Sequence, residues 1–291
     1  MKKISLLLLI LMLIGATCFV TACDNGSSVI QEEEEGLDLG DTLVVGMDCN
    51  YPPYNWTQDD DSNGAVAISN ESGYANGYDV QIALLIGEAL DIDIEIVKLD
   101  RGDLIDAVRD GDIDVMIAGV NPLESRADRI DFTESYYDCE YVVVVKKDGD
   151  YADATSINDF ENARLTAETG SYIYDSLLSQ MEGAEMMDSL TYNMDMRVAL
   201  ANGVIDGYVT SLAEGISATE AHSEFAMVTF NDGESFDTEN EYATVAIGVT
   251  KGREKLVEVI DDILDEISVT ERNVLMDDAI YSQPDEEEAE E

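Results

Sequence analysis

The sequence predicts an α/β fold in which mostly parallel sheets have their faces covered by helices. Two observations lead there. Strand-like runs alternate with helical patterning along the chain, and 291 residues at 45 % hydrophobic content are enough for two lobes of roughly 100 to 140 residues each. Residues 43–47 (LVVGM) form a short buried strand ending at Asp48, and residues 80–90 place Ile82, Leu85, Ile86 and Ala89 on one helical face. Residues 92–97 alternate in period two, residues 104–108 start another helix, and residues 114–119 (DVMIAG) are a strand running into a loop. Residues 141–145 (YVVVV) are the longest β-branched run of the body. Segments 159–180, 194–202 and 205–209 then begin a second alternating set. A strand at 242–249 and helices at 253–267 and 270–279 follow, the first with Leu256, Val257, Ile260, Ile263 and Leu264 inward. Residues 57–74, rich in Asp, Asn, Ser and Gly, read as a surface loop without periodicity.

The two ends carry different information. Met1, Lys2 and Lys3 followed by an apolar run at 4–13 read as a signal peptide over 1–22, too short for a bilayer span. Small residues 20–22 directly before Cys23 have the form of a bacterial lipobox, which predicts cleavage before Cys23 and a diacylglyceryl thioether on its sulfur. The body is then expected on the extracytoplasmic face of the cell membrane, tethered through residues 23–40, the lipid anchor and acidic linker. Residues 284–291 are expected to be a solvated acidic tail.

The formal charge is −49, and loss of Lys2 and Lys3 with the signal takes it to −51. Such a field repels nucleic acid phosphates and anionic lipid head groups. It suits a solvated face in a salty or cation-rich exterior, or else a cationic partner. With Cys18 in the signal and Cys23 at the anchor, only Cys49 and Cys139 remain, either bridged outside the cell or kept as two isolated buried thiols. His222 is the single histidine, so Cys/His zinc clusters and histidine-based triads lack their parts. No metal, cofactor or catalytic residue is expected.

Three constellations leave predicted strand ends. Residues 48–56 (DCNYPPYNW) project aromatic rings from a stiff Pro-Pro turn, to stack on something planar or to pack under the insertion. Residues 119–126 (GVNPLESR) combine Gly119, which admits close backbone approach, with the Asn121 amide and the Arg126 guanidinium fork. That fork matches a carboxylate, or a surface acid. Residues 168–172 (ETGSY) offer Ser171 and backbone N–H groups at a helix start, as an anion site or an ordinary N-cap.

With these residues in place, the chain resembles the bacterial extracellular solute-binding proteins of amino acid ABC importers, family 3, with the type II periplasmic-binding fold. The likeness covers about residues 41–283 and is carried by 43–56, 77–83 (GYDVQIA), 111–126, 130–137 (IDFTESYY) and 202–208 (NGVIDGY). It is similar in particular to the lipoprotein branch of Gram-positive anaerobes. The resemblance implies a two-lobed clamp with two hinge crossings: lobe 1 at 41–141 plus 243–283, lobe 2 at 142–242. Hinged closure would let both lobes hold the ligand. It further implies a monomer that captures an amino acid or related small carboxylate and delivers it to an ABC permease. Tyr51 would be the aromatic wall, Gly119 and Asn121 would hold the ligand, Arg126 would clamp its α-carboxylate, and Ser171 would join that network from lobe 2.

Three departures stand against the family pattern. Arg101 falls where an aromatic ring is usual, and it points to acidic ligands unless it turns to solvent. Asn121 replaces a hydroxyl residue. Ser211 replaces the acid that receives the α-ammonium, so either Glu214 or Asp48 substitutes or the ligand lacks that group. The competing functions are a ligand-sensing binding protein for a separate membrane receptor and a cyclohexadienyl-dehydratase-like enzyme, the latter without a base and nucleophile at motif spacing.

Overall fold

The computed structural model describes residues 37, 39–238 and 242–283. The signal segment, Cys23 and the acidic tail lie outside the described residues. The first half contains β1 (Thr42–Met47), β2 (Asn50–Tyr51), β3 (Asn55–Gln58), β4 (Val66–Ala67), β5 (Tyr74–Asn76), α1 (Tyr78–Leu90), β6 (Asp93–Lys98), α2 (Leu104–Asp110), β7 (Val115–Met116), α3 (Glu124–Ala127) and β8 (Asp131–Asp138). Then follow β9 (Tyr141–Lys146), β10 (Arg164–Thr166), β11 (Glu185–Met186), α4 (Asn193–Ala201), β12 (Gly207–Ser211), α5 (Leu212–Ala221) and β13 (Phe225–Val228). The chain closes with β14 (Thr244–Val249), α6 (Glu254–Glu266) and α7 (Val269–Ser282).

Two five-stranded sheets result, with orders β6-β1-β7-β14-β8 and β11-β10-β12-β9-β13. In the first, β1 runs parallel to β6 and β7, while β14 is antiparallel to β7 and β8. The second repeats the plan: β10 is parallel to β11 and β12, and β9 is antiparallel to β12 and β13. Buried apolar side chains hold each sheet to its helices. Leu104, Val108, Ile113, Met116 and Ile130 pack on one face of the first sheet. Val143, Val145, Leu165 and Val209 pack with Phe160 and Leu177 on one face of the second, and Val144, Met196, Leu200 and Tyr208 on the other. Each valine of β9 so buried contributes about 1.5–3 kcal/mol relative to exposure, which is why the β-branched run sits at the centre of its sheet.

The local signals explain the helices. In α6 the buried Leu256, Ile260 and Leu264 repeat at i, i+4 and i+8, a single stripe against the sheet. A capping box starts α7: the Ser268 hydroxyl accepts the Glu271 N–H, and the Glu271 carboxylate accepts the Ser268 N–H. The two crossings between the sheets, at 139–140 and 242–243, are tied directly, the Cys139 N–H donating to Ala243 O at 2.8 Å.

Some expectations need correction. Residues 57–74 are not a plain loop, because β2, β3, β5 and β4 form a four-stranded antiparallel sheet there. Its pairs are too short to show period two, and Ile68 anchors it by bridging to Ile96. The run 114–119 is paired as strand only at Val115–Met116, and β8 and β13 were not expected as strands. The segment after Ser171 is a five-residue π-type turn at Ile173–Leu177 followed by a 3-10 turn at Leu178–Gln180, rather than one α-helix.

Candidate functional site

The candidate residues share a topological address. Asp48 and Tyr51 follow β1, Arg101 follows β6, Gly119 and Asn121 follow β7, Ser171 follows β10, and Ser211 ends β12. All five strands take part in parallel pairs, and loops at the carboxyl ends of parallel strands are where open α/β sheets hold ligands.

The wall at the end of β1 is aromatic. The Tyr51 ring stacks on Tyr54 with centroids 5.3 Å apart and planes 14° from parallel. Gly119 lies against both rings at φ +58°, and a Cβ there would come within 2.9 Å of Tyr51 Cε1 and 3.0 Å of Tyr54 Cγ. Glycine is required both by the left-handed backbone and by that approach. Its N–H is already engaged, donating to Tyr136 Oη at 3.0 Å. Behind it, Tyr136 Oη donates to Asp79 Oδ1 and Asn55 Nδ2 donates to Asp79 Oδ2, each at 2.7 Å. Burial pushes the Asp79 carboxyl up to about 7, against the lowering effect of those two donors.

Arg101 turns inward. Its guanidinium lies 4.2 Å above the Tyr51 centroid, Nη1 donates to Ala118 O at 3.0 Å, and Nε is paired with Glu168 from the other sheet. Asp48 is the second acid, with Oδ1 3.5 Å from Arg101 Nη1 and only 2 % of its side chain exposed. Neither Asp48 oxygen accepts a hydrogen bond. Burial raises the Asp48 carboxyl, and Arg101 opposes that in part. For Arg101 itself burial is the largest effect and works downward, but Glu168 and Asp48 outweigh it together, so the guanidinium stays charged. Glu168 was missed as a site residue from sequence; the signal was an acid at a strand exit directly before a Gly-Ser turn.

Arg126 bridges the two sheet units without a carboxylate. Nη1 donates to Asn121 O and Nη2 to Gly170 O, both at 2.9 Å, and it has no acid within ion-pair distance among the described residues. Burial first, and Arg101 second, lower its pKa to about 10, so it remains a cation. Ser171 stands beside it in a self-contained turn, its hydroxyl donating to Glu168 O at 2.7 Å and accepting the Tyr174 N–H at 3.1 Å.

Two candidates have structural duties. The Asn121 amide donates to Tyr242 O at 3.1 Å and Thr244 O at 2.8 Å, clamping the second crossing. Ser211 caps α5, accepting the Glu214 N–H at 3.3 Å. Glu214 faces Arg197 in the core beside the second sheet, accepting from Nε at 3.0 Å, with Tyr208 Oη at 3.2 Å. Glu214 Oε1 is thus engaged by Arg197 and Tyr208, while Glu214 Oε2 and both Asp48 oxygens accept no hydrogen bond. The bridge between Cys49 and Cys139 is not formed: Cys49 is a buried thiol, and Cys139 Sγ lies 3.8 Å from Tyr54 Oη. Burial raises both thiols to about 12, which leaves them unreactive. A cavity of about 490 Å³ is lined by the first crossing, the start of α5 and α7, and of the residues singled out from sequence it includes Ser211 and Cys139.

Residues 43–273 match the model of the bacterial extracellular solute-binding proteins, family 3. The chain belongs to this family. Among its relatives is the arginine-binding extracellular protein ArtP of Bacillus subtilis, 25 % identical over 165 residues. That alignment spans 55 % of this chain and 56 % of ArtP, little more than half the length of either. The L-cystine-binding protein TcyJ of Escherichia coli is 23 % identical over 250 residues, 83 % of this chain and 85 % of that one. In fold, the chain is similar to the substrate-binding protein of an amino acid ABC transporter from Streptococcus pneumoniae bound to L-arginine. The TM-score is 0.70 at 20 % identity, covering 87 % of this chain and 97 % of the other. The family is one of binding proteins, and among the described residues no cluster of three or more acids, cysteines or histidines is placed to hold a metal. Nor is any described helix long and apolar enough to cross a membrane.

Proposed function

We propose that this family 3 protein captures an amino acid or related small carboxylate between its two sheet units and hands it to the permease of an ABC importer. It would do so as a monomer tethered outside the membrane through Cys23. The observation that carries the reading is Arg126. A half-buried guanidinium that reaches carbonyls of both sheet units, with no carboxylate of its own, is suited to a ligand carboxylate that completes it on closure. At the other end of the same cluster Asp48 and Glu168 are paired with Arg101, so that end is closed by the chain's own cation. Tyr51 and Gly119 supply the wall and the close backbone approach, and the turn at Ser171 supplies the second side. Relatives named for arginine and cystine binding agree with a cleft for amino acids.

Calorimetry with glutamate, glutamine, cystine and a simple dicarboxylate tests the reading. Arg126→Ala should weaken the bound compound by about 2–5 kcal/mol, the cost of leaving a desolvated carboxylate unpaired. Unchanged affinity in that variant would reject Arg126 as the carboxylate clamp.

A further inference from the structure

We infer that Arg101 is a tethered occupant of the ligand's side-chain subsite: its guanidinium fills a cage made by the Tyr51 ring, Asp48 and Glu168, so the cleft refuses ligands with basic side chains. This rests on the reading of the cleft as an amino acid site. The cage has the features of a cation receptor. An aromatic face lies 4.2 Å from the guanidinium carbon, Glu168 pairs with Nε, and Ala118 O accepts Nη1 at 3.0 Å. Two carboxylates face one guanidinium. The second, on Asp48, is 3 % exposed as a residue and accepts no hydrogen bond at either oxygen. A buried acid without a donor is costly, so the cage as built has more affinity for positive charge than Arg101 satisfies.

What fills it comes from the chain itself. Arg101 sits in the turn between β6 and α2, and a tethered group competes at an effective concentration that free solute rarely reaches. A ligand with a neutral or acidic side chain can enter beside Arg101 and meet the edge of its guanidinium. A ligand with its own guanidinium or ammonium group must displace Arg101 or lie against a like charge.

Titration of wild type, Arg101→Ala, Arg101→Met and Arg101→Lys with L-arginine, L-glutamine and L-glutamate, together with melting curves in methylguanidinium chloride, tests this. Wild type should bind L-arginine more weakly than L-glutamine or L-glutamate by about tenfold or more, and Arg101→Ala should gain about that factor for L-arginine. Methylguanidinium should stabilise Arg101→Ala saturably, leave wild type unmoved, and lose its effect in Arg101→Ala with Glu168→Gln. Arg101→Lys, which keeps the charge, should still keep L-arginine out. Arg101→Met keeps the packed stem and serves if the alanine variant does not fold. Folded alanine or methionine variants that gain neither L-arginine nor methylguanidinium binding, with L-glutamine binding intact, would overturn the cage alone. Failure of every amino acid to bind wild type, with methylguanidinium still held by Arg101→Ala, would overturn the amino acid reading and leave the cage.

Discussion

Asp79→Asn should change how stability depends on pH. Asp79 is fully buried in the first turn of α1 with Tyr136 and Asn55 on its two oxygens, and burial raises it from 3.8 to about 7. Below about pH 4 the group is protonated in both the folded and unfolded chain and costs nothing. Between about pH 4 and pH 7 the unfolded chain releases its proton while the folded chain keeps it, so folding takes up a proton and stability falls as pH rises. The slope is about 1.36 kcal/mol per pH unit over about three units, a loss of about 4 kcal/mol that is complete above pH 7. The asparagine variant has no such slope. It carries a pH-independent cost of about 1–3 kcal/mol because its amide places a donor where Tyr136 and Asn55 both donate. Urea denaturation of both proteins at intervals from pH 4 to pH 8 measures the difference, in which all other titrating groups cancel. The variant should gain on wild type as pH rises. A stability difference constant to within about 0.5 kcal/mol across that range would refute the assignment of a proton to Asp79.

Arg197→Met should destabilise by about 3–5 kcal/mol in the same assay, because it strands the Glu214 carboxylate in the core beside the second sheet, and Glu214→Leu added to it should recover part of the loss. Gly119→Ala should cost about 1–3 kcal/mol and weaken ligand binding, since the new Cβ meets the Tyr51 and Tyr54 rings at a positive φ; calorimetry and melting curves read both. Alkylation of the denatured, unreduced protein should label both Cys49 and Cys139, whereas the native protein should react slowly at both.

Much of the fold was legible because β1, α1, β6, β9 and α6 each carry their own periodicity, and the turns between them fall at polar residues. What escaped was set by tertiary pairing. β4 and β11 are two-residue strands whose partners, rather than their composition, make them strands. The site divides in the same way. Tyr51, Arg101 and Arg126 were readable as chemistry at strand exits. The direction of each side chain was not: whether Arg101 met solvent or Glu168 depends on a contact between sheets 67 positions apart in sequence. Asn121 and Ser211 show the converse, since an amide and a hydroxyl at the right loop serve the crossing and a helix cap instead. Asp79 gave no local sign, because its buried carboxyl is answered by Asn55 and Tyr136, neither adjacent in sequence.

A chain of formal charge −49 that offers an arginine to a carboxylate combines two electrostatic scales. Surface acids act through water and salt, and beyond about 8 Å at physiological ionic strength their field is largely screened. Arg126 acts at hydrogen-bond distance in a half-buried place, where the effective dielectric is lower than in water and screening is weaker. Two acids, Glu168 and Asp175, act on Arg126 through charge, and Glu168 is held by its pairing with Arg101. Internal pairing thus removes Glu168 from competition for Arg126. By this logic Arg101 does two things at once. It excludes basic side chains from the Tyr51 cage, and it offsets part of the charge of the two acids that would otherwise repel the carboxylate on its way to Arg126.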